Sequence, residues 1–396
     1  MKKKKIVWFY PHLKFWMGGN RFLYEIARRL TKKYQVTIVT NLGKEEFIEK
    51  FKKWGVKVKT ILPFCSNDII YWLFFPFFLF LEIIKSIRYA KKADYLFATL
   101  FPSNFVAYVL AKIFKKKYIF YCYEPYPFFH NEIYMKSTGL INFLIMKTLS
   151  ILYKWLDKMA VKHSDKVFTL NQLTRKATRN IYGIDSIVTY MGVNTNFFKP
   201  YKNKKLEEKY KNKMLIYHST DYTPTKRTDL AIEYIKRLKI KYPNILLIIT
   251  STQPNNPRKK IYQNIIKKFK LKKNVKLLGL VSEDELRWFY SNSICYISCS
   301  KDKNMGTTSS NLPVKEAMAS QIPVIRYDIT KEDVENNISG FLVDPENIDE
   351  VIKKIEFLIK NPEIRQKMGK AARKKILNFY NWEKATSIII NSIIKL

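Results

Sequence analysis

The segment from Gly306 to Gln321 has the residue types best suited to bind a nucleotide. Small polar residues lead into a short predicted helix that carries Glu316. Backbone N–H groups at the start of such a helix can bind phosphate oxygens. One turn into the helix, Glu316 can accept hydrogen bonds from both ribose hydroxyls with its two carboxylate oxygens. The residues that we expect to contact the nucleotide are Ser310, Asn311, Leu312, Pro313 and Glu316.

Two cations form a second candidate group. The predicted strand Met214–His218 runs into a polar loop, and a helix then begins at Lys226 and Arg227. Cations at a helix N-terminus are opposed by the helix dipole, and this placement favours a functional role over a solvated helix start. Lys226 and Arg227 are expected to hold a diphosphate and to neutralise the charge that develops on it.

A pair of glycines follows the first predicted strand. Gly18 and Gly19 open a predicted helix, where glycine allows close approach of a ligand and free N–H groups suit a diphosphate. A Gly-Gly turn before a helix is also a common structural feature. The GxGxxG fingerprint is absent, and a dinucleotide cofactor is therefore disfavoured.

Short β-rich runs alternate with longer helical patterns along the whole chain, which predicts βαβ units and mostly parallel sheets. In the first half the predicted strands are Lys5–Tyr10, Gln35–Thr40, Val56–Leu62, Tyr95–Thr99, Tyr118–Cys122, Lys166–Leu170 and Ser186–Tyr190. After a loop-like segment, Gly192–Lys205, they are Met214–His218, Ile245–Thr250, Val275–Leu278, Ile294–Ser298, Pro323–Arg326 and Gly340–Val343.

This alternation predicts an α/β protein with two Rossmann-like, doubly wound domains. We place the first at residues 1–195 and the second at 205–375. Sheets of this kind bind ligands at the carboxyl ends of their strands, and a cleft between the two domains is the expected site. The last predicted helix, Trp382–Lys395, is rich in isoleucine and must pack on another element.

The charge of the chain is strongly positive. Lys and Arg number 72 and Asp and Glu 33, which gives a net charge of +39. Such a field attracts nucleic acid, anionic lipid or phosphorylated substrates, although a compositional bias toward lysine explains part of it. The lysines are scattered and no nucleic-acid-binding module is present, so we expect no nucleic acid partner. The four cysteines lack a CxxC pair, a pattern that fits a reducing compartment.

The apolar run Ile69–Leu81 raises the question of membrane contact. A helix of this length spans about 20 Å, short of a hydrocarbon core of roughly 30 Å, and Pro76 lies inside it. Two interpretations remain open: a buried core helix, or a helix lying in the membrane interface with the flanking cations Lys85, Arg88, Lys91 and Lys92. We expect a cytoplasmic protein that associates peripherally with the cytoplasmic face of the membrane.

Taken with its flanking elements, the segment Gly306–Gln321 resembles the donor-binding signature of glycosyltransferase family 4, whose members share the GT-B fold. The resemblance covers nearly the whole chain. Its other matches are the glycine loop at Gly18-Gly19, the diphosphate lysine at Lys226, the base-proximal strand at Val275–Val281, the interdomain linker at Met191–Asn194 with Phe198–Pro200, and the start of the terminal helix at Phe379–Glu383. It implies that residues 376–396 form a helix that packs back on the N-terminal domain.

Three positions depart from the family pattern. The family pairs two glutamates eight positions apart; Glu316 matches the second, and Thr308 stands at the first. The family's arginine ahead of the lysine falls at Asp221, and its first-domain histidine falls at Tyr123. Since Glu124 is the ionisable group nearest to that histidine position, we assign it a role in orienting the acceptor.

The resemblance implies a retaining glycosyltransferase. Cationic and N–H stabilisation can replace a metal here, and no carboxylate pair suggests one, so we expect no metal and no cofactor. Its donor would be a nucleotide sugar and its acceptor a glycan or a lipid-linked molecule at a membrane face. His12 in the first loop and His130 in an aromatic loop are the candidate acceptor contacts. Two other functions stay open: an inactive, basic membrane-binding relative of the GT-B enzymes, and a GT-B nucleotide-sugar epimerase.

Overall fold

A computed structural model describes residues 3–14, 16, 18–66, 69–136, 139–253, 255–301, 312–327 and 331–396 of the chain. The chain divides into two compact units. The first holds residues 1–191 and 382–396, and the second holds most of residues 192–381.

The first unit is built on a parallel sheet. Among the described residues it has seven strands, in the order β3-β2-β1-β4-β5-β6-β7. The strands are β1 (Lys5–Leu13), β2 (Gln35–Gly43), β3 (Lys57–Thr60), β4 (Tyr95–Ala98), β5 (Lys117–Cys122), β6 (Lys166–Thr169) and β7 (Ile187–Val188). Its helices are α1 (Gly18–Leu30), α2 (Glu45–Lys52), α3 (Ile69–Leu73), α4 (Phe75–Ala90), α5 (Ser103–Phe114), α6 (Pro127–His130), α7 (Glu132–Lys136), α8 (Leu140–Lys162) and α9 (Gln172–Tyr182).

The second unit repeats this design. Within the part of the chain that the structure describes, its parallel sheet has six strands in the order β10-β9-β8-β11-β12-β13. The strands are β8 (Met214–Thr220), β9 (Ile245–Ser251), β10 (Val275–Gly279), β11 (Cys295–Ser298), β12 (Val324–Arg326) and β13 (Gly340–Leu342). The helices are α10 (Lys204–Lys209), α11 (Thr228–Lys241), α12 (Lys259–Lys268), α13 (Glu283–Asn292), α14 (Leu312–Ala319), α15 (Ile348–Lys360) and α16 (Pro362–Phe379), with a 3₁₀ turn at Pro224–Lys226.

The prediction of two doubly wound α/β domains is confirmed. Each predicted strand is present, and its ends lie within three residues of the predicted ones. In each sheet the first strand in the chain, β1 or β8, lies in the interior. The next two strands are added on one side of it and the later strands on the other side. The crossover helices therefore cover both faces of each sheet. The central strands are buried on both faces, as β9 illustrates with all of its residues buried.

The chain returns to the first unit at its end. Helix α16 continues to Phe379 within the second unit, so the return begins at Trp382, six residues after the predicted boundary at residue 376. The terminal helix α17 (Trp382–Ile394) then packs on α1. The indole ring of Trp382 lies 5.7 Å from the Phe22 ring, and Arg29 donates a hydrogen bond to the Glu383 carboxylate at 2.9 Å.

The apolar run Ile69–Leu81 is two helices rather than one. Helix α3 ends at Leu73, and α4 begins at Phe75 with Pro76 in its first turn. Proline cannot donate the backbone hydrogen bond of a continuous helix, but it is well suited to a first turn. None of the helices in the described ranges is both long enough and apolar enough to cross a bilayer.

A buried carboxyl group holds α4 on the first sheet. Glu82 is 3% exposed and accepts hydrogen bonds from the hydroxyl of Tyr71, at 2.6 Å, and from the amide of Asn41. Burial raises the pKa of Glu82 from 4.5 to about 7, against the lowering effect of both hydrogen bonds. Because the pKa is raised in the folded state, the folded protein holds this proton more tightly than the unfolded chain does.

The stability of the first unit should therefore fall as pH rises from 4.5 to 7, the interval between the two pKa values. The expected loss is about 3 kcal/mol of the free energy of unfolding. Urea titrations over this range would measure it, with Glu82→Gln predicted to abolish the slope and exposed Glu46→Gln to leave it unchanged. A slope that survives in Glu82→Gln would contradict this assignment.

Candidate functional site

Charged side chains from three chain segments meet at the carboxyl edge of the second sheet. Strand β8 leads into the loop that ends in Lys226 and Arg227, β11 leads to Lys301, and β13 leads to Asp344 and Glu346. Since β8 and β11 are parallel neighbours, their carboxyl ends share one edge. This is the edge at which open α/β sheets bind ligands.

Local hydrogen bonds fix the loop that carries Lys226. The Asp221 carboxylate accepts from the backbone N–H and the hydroxyl of Thr223, at 2.9 Å and 2.6 Å. This is the pattern of an Asx turn, and the 3₁₀ turn Pro224–Lys226 follows it directly. Asp221 occupies the position where the family pattern has an arginine. Its hydrogen bonds to Thr223 stabilise the conformation of this loop.

Arg227 is engaged with carboxylates. Its guanidinium donates to Glu346 at 3.0 Å and to both oxygens of Asp229 at 3.1 to 3.3 Å. Lys301 is engaged in the same network, with Asp344 at 2.5 Å and Glu346 at 2.7 Å. The assignment of Arg227 to a diphosphate stays a prediction, and a diphosphate would have to compete with these two carboxylates for the guanidinium.

Lys226 differs from these cations. Its half-buried side chain has no hydrogen bond and no ion pair with any residue that the structure describes. Its neighbours Arg227 and Lys301 are both paired. An ammonium held on a short structured loop without a counter-ion is a strong electrostatic site for an anion.

A buried histidine stabilises this edge of the second sheet. His218 Nδ1 lies 3.0 Å from the Ile297 carbonyl, which can only accept, so Nδ1 carries the proton and Nε2 accepts from the Thr228 hydroxyl at 3.2 Å. Burial lowers the pKa of His218 to about 4, so the ring is neutral near neutral pH. His218 thus ties β8, β11 and the start of α11 together.

Helix α14 places the predicted ribose ligand. It begins at Leu312, and Glu316 lies one turn in, 6% exposed. The Tyr290 hydroxyl donates to Glu316 Oε2 at 2.8 Å and so orients the carboxylate. Of the other predicted contacts, Leu312 and Pro313 open α14, whereas Ser310 and Asn311 lie outside the described residues.

A buried ionic triad anchors α14. Asp333 binds Lys315 at 3.1 Å and Arg326 at 2.5 Å, and the side chains are at most 10% exposed. Lys315 directly precedes Glu316, so the triad fixes the turn that presents the carboxylate. Gly369 of α16 packs so closely behind this helix that a Cβ there would lie 2.0 Å from the Gln321 carbonyl oxygen.

In the first unit, Gly18 and Gly19 open α1 as predicted. A Cβ at Gly19 would lie 3.0 Å from the Tyr123 ring and 3.1 Å from the Tyr10 hydroxyl. The Tyr123 hydroxyl also donates to the Gly19 carbonyl at 3.1 Å. Tyr123, which replaces the histidine expected here, therefore holds the glycine turn against the carboxyl edge of the first sheet.

The other first-unit candidates have different surroundings. Glu124 is half-buried and directly follows Tyr123 at the end of β5. His12 lies inside β1, which extends beyond its predicted end, and its Nδ1 accepts from the Lys14 backbone N–H at 3.3 Å. Both therefore stand at the carboxyl edge of the first sheet.

His130 is buried, and the prediction that it contacts an acceptor is corrected. Its side chain is 2% exposed, and Nε2 lies 3.1 Å from Asp157 Oδ2. Asp157 also accepts from Asn104 at 2.6 Å and from the Tyr182 hydroxyl at 2.8 Å. This hub joins α5, α6, α8 and α9, so His130 has a structural role.

Neither unit offers a metal site in the described ranges: no three His, Cys, Asp or Glu side chains are grouped to hold one ion.

Comparisons with known proteins agree with this arrangement. Residues 200–375 match the family Glycosyl transferases group 1, and residues 16–197 match Glycosyltransferase Family 4. The crystal structure of Anabaena HepE in complex with UDP superposes with a TM-score of 0.77 over 99% of this chain and 100% of that one, at 16% identity. Identity this low shows the fold alone, which is the GT-B fold.

Two relatives are similar at the level of sequence. An uncharacterized glycosyltransferase of Haemophilus influenzae is 24% identical over 93% of this chain and 94% of its own length. The poly(ribitol-phosphate) alpha-N-acetylglucosaminyltransferase of Staphylococcus aureus is 26% identical over 58% of this chain and 45% of its own length. One family match covers most of the first unit and the other covers most of the second. The chain therefore belongs to the group 1 glycosyltransferases of family 4 and is a glycosyltransferase.

Proposed function

We propose that the chain is a retaining, metal-independent hexosyltransferase that moves a sugar from a nucleotide sugar to a glycan or lipid-linked acceptor at the cytoplasmic face of a membrane. The observation that carries the proposal is Lys226, an ammonium without a counter-ion among the described residues, at the ligand-binding edge of the second sheet.

In this proposal Lys226 stabilises the leaving diphosphate. When the bond between the sugar and the diphosphate breaks, negative charge accumulates on the diphosphate oxygens. A fixed cation beside them stabilises that charge more in the transition state than in the ground state. The N–H groups of the first turn of α14 add hydrogen bonds at the same edge. Together these groups supply the stabilisation that a divalent cation would otherwise provide.

Glu316 holds the nucleoside. Each carboxylate oxygen has two lone pairs, so the bond from Tyr290 to Oε2 is compatible with hydrogen bonds from ribose hydroxyls. Because Tyr290 and the Asp333 triad fix the carboxylate before the donor arrives, little side-chain entropy is lost on binding.

The first unit receives the acceptor. Glu124 and His12 stand at the carboxyl edge of its sheet, where a hydroxyl could be oriented by the Glu124 carboxylate. Gly18 and Gly19 open α1 at the same edge of this sheet, where the N–H groups of its first turn can bind an anionic group. The name of the S. aureus relative gives its acceptor as a poly(ribitol phosphate), an anionic glycan, which is compatible with the +39 charge of this chain.

The anomeric configuration of the product tests the proposed chemistry. The purified protein is incubated with α-linked nucleotide sugars and candidate acceptors, and proton NMR reads the configuration of the new glycosidic bond from its anomeric signal. An α-linked product supports retention, and a β-linked product would overturn it. Unchanged rates in EDTA are expected, and a loss of activity that Mg²⁺ or Mn²⁺ restores would contradict metal independence.

A further inference from the structure

Helix α4 is apolar on two opposite faces. One face is buried against the first sheet and includes Phe75, Phe78 and Leu79. The opposite face presents Phe74 at its N-cap, Phe77 and Phe80, which are 59%, 58% and 60% exposed. Their spacing of three residues places them in one row along the helix. A row of exposed phenylalanines is rare on a soluble surface and indicates a binding function.

Helix α8 carries a second such row. Ile151, Leu152 and Trp155 are 74%, 52% and 58% exposed. Helices α4, α5 and α8 pack side by side on the same face of the first sheet, with α5 in contact with both of the others. The rings of Phe75 and Tyr153 lie 4.6 Å apart and join α4 to α8 directly. The outward rows of both helices therefore point away from the sheet on the same side of the unit.

The exposed and half-buried charges on these three helices are all positive. Their two acidic residues, Glu82 and Asp157, are buried at 3% and 1% exposure. The remaining charges are the basic residues Lys85, Arg88, Lys112, Lys147, Lys154, Lys158 and Lys162, which are exposed or half-buried. The surface thus combines two protruding apolar rows with a wholly positive field.

We infer that this surface docks flat on a membrane leaflet that contains anionic lipids. We call it the lipid face and define it by Phe74, Phe77, Phe80, Ile151, Leu152 and Trp155. Apolar side chains entering the headgroup boundary and cations next to anionic headgroups are the two components of interfacial binding. A second copy of the chain is a poorer occupant, since a symmetric dimer through this face would bring the same cations together.

The lipid face adjoins the proposed acceptor site. Helix α6 begins three residues after Glu124 and packs on α8. A protein docked through α4 and α8 would therefore hold the Glu124 segment close to the membrane. This step rests on the proposed function, and it favours an acceptor carried on a lipid; docking itself does not depend on catalysis.

Vesicle flotation with the full chain tests the inference. The probes are phosphatidylcholine vesicles with and without phosphatidylglycerol. We expect affinity to be about tenfold higher or more for the anionic vesicles and to weaken at high salt. The variant Phe77→Ser/Trp155→Ser should lose about tenfold or more in affinity. Both side chains are exposed, so the variant should unfold at the temperature of the wild type.

The matched control is Ile240→Ser/Ile261→Ser, which removes two exposed isoleucines of the second unit, 82% and 53% exposed. It should bind like the wild type. Brominated lipid should quench a tryptophan signal that Trp155→Phe removes.

Equal binding by the Phe77/Trp155 variant and this control would overturn the inference. A wild-type dimer in sedimentation velocity that the variant converts to a monomer, with vesicle binding unchanged, would assign the face to self-association instead. Nucleotide-sugar binding should be intact in every variant, which separates failure of docking from failure of the proposed function.

Discussion

Replacing Lys226 with alanine is expected to lower the turnover number for sugar transfer by about a hundredfold to a thousandfold. The reason is the position of the ammonium at the carboxyl edge of β8 and its lack of a counter-ion among the described residues. Its whole charge is then available to the leaving diphosphate, where negative charge grows as the transition state forms. Initial rates at saturating donor, with unchanged thermal unfolding, would measure the effect.

Two variants make this test specific. Lys213→Ala removes an exposed lysine just before β8, at the amino edge of the same strand, and should leave the rate unchanged. Lys226→Arg keeps the charge but changes its shape, and should retain part of the activity. If Lys226→Ala turned over as fast as Lys213→Ala, the assignment of Lys226 to the diphosphate would be wrong.

Replacing Asp333 with asparagine is expected to reduce the free energy of unfolding of the second unit by about 3–5 kcal/mol. The substitution removes the carboxylate that pairs with Lys315 and Arg326, whose side chains are buried at 3% and 8% exposure. Urea unfolding followed by circular dichroism would report the loss. Since Lys315 precedes Glu316, affinity for the nucleotide sugar should fall as well.

The pH dependence of stability distinguishes loss of the Asp333 ion pairs from a general disruption of packing. Burial raises the pKa of Asp333, but the charges of Lys315 and Arg326 outweigh it, and the net shift is downward. A lowered carboxyl pKa gives stability that is present above the ordinary value of 3.8 and is lost as pH falls through the folded-state pKa. The difference between wild type and Asp333→Asn should therefore shrink in acid.

Adding Lys315→Met to Asp333→Asn removes one of the two buried cations that pair with Asp333 in the wild type and should recover part of the stability. Asp349→Asn, at a side chain 78% exposed in an ion pair with Arg237, should change stability by less than about 1 kcal/mol. A loss in Asp333→Asn no larger than that control would contradict the role given to the triad.

The fold could be predicted because its signals are local. Buried parallel strands are short β-rich runs, and the helices between them have apolar periodicity, so each strand lies within three residues of its predicted ends. The break in Ile69–Leu81 also has a local signal, Pro76, although the sequence analysis treats the run as one helix. The buried-core reading is right for one face of α4, and the membrane-interface reading stays a prediction for its exposed face.

The site was less predictable because its partners are distant in sequence. Arg227 pairs with Glu346, which lies 119 residues further along the chain, and His130 pairs with Asp157, 27 residues away. Neither pairing leaves a local pattern, so the sequence alone predicts a substrate contact for both residues. Lys301, Tyr290 and Asp333 escaped notice for the same reason. Lys226 could be singled out because the helix dipole makes its position unfavourable in the absence of a ligand.

The most direct test of the account is a thermal-shift measurement of nucleotide-sugar binding by wild-type protein and Glu316→Ala. UDP-, GDP- and ADP-sugars are compared, with half-buried Glu350→Ala as the matched control. The account predicts that one nucleotide series raises the unfolding temperature by several degrees, equally in wild type and Glu350→Ala, and that Glu316→Ala loses the shift. If no series shifted the wild-type protein, or if Glu316→Ala responded like the control, the donor site described here would be contradicted.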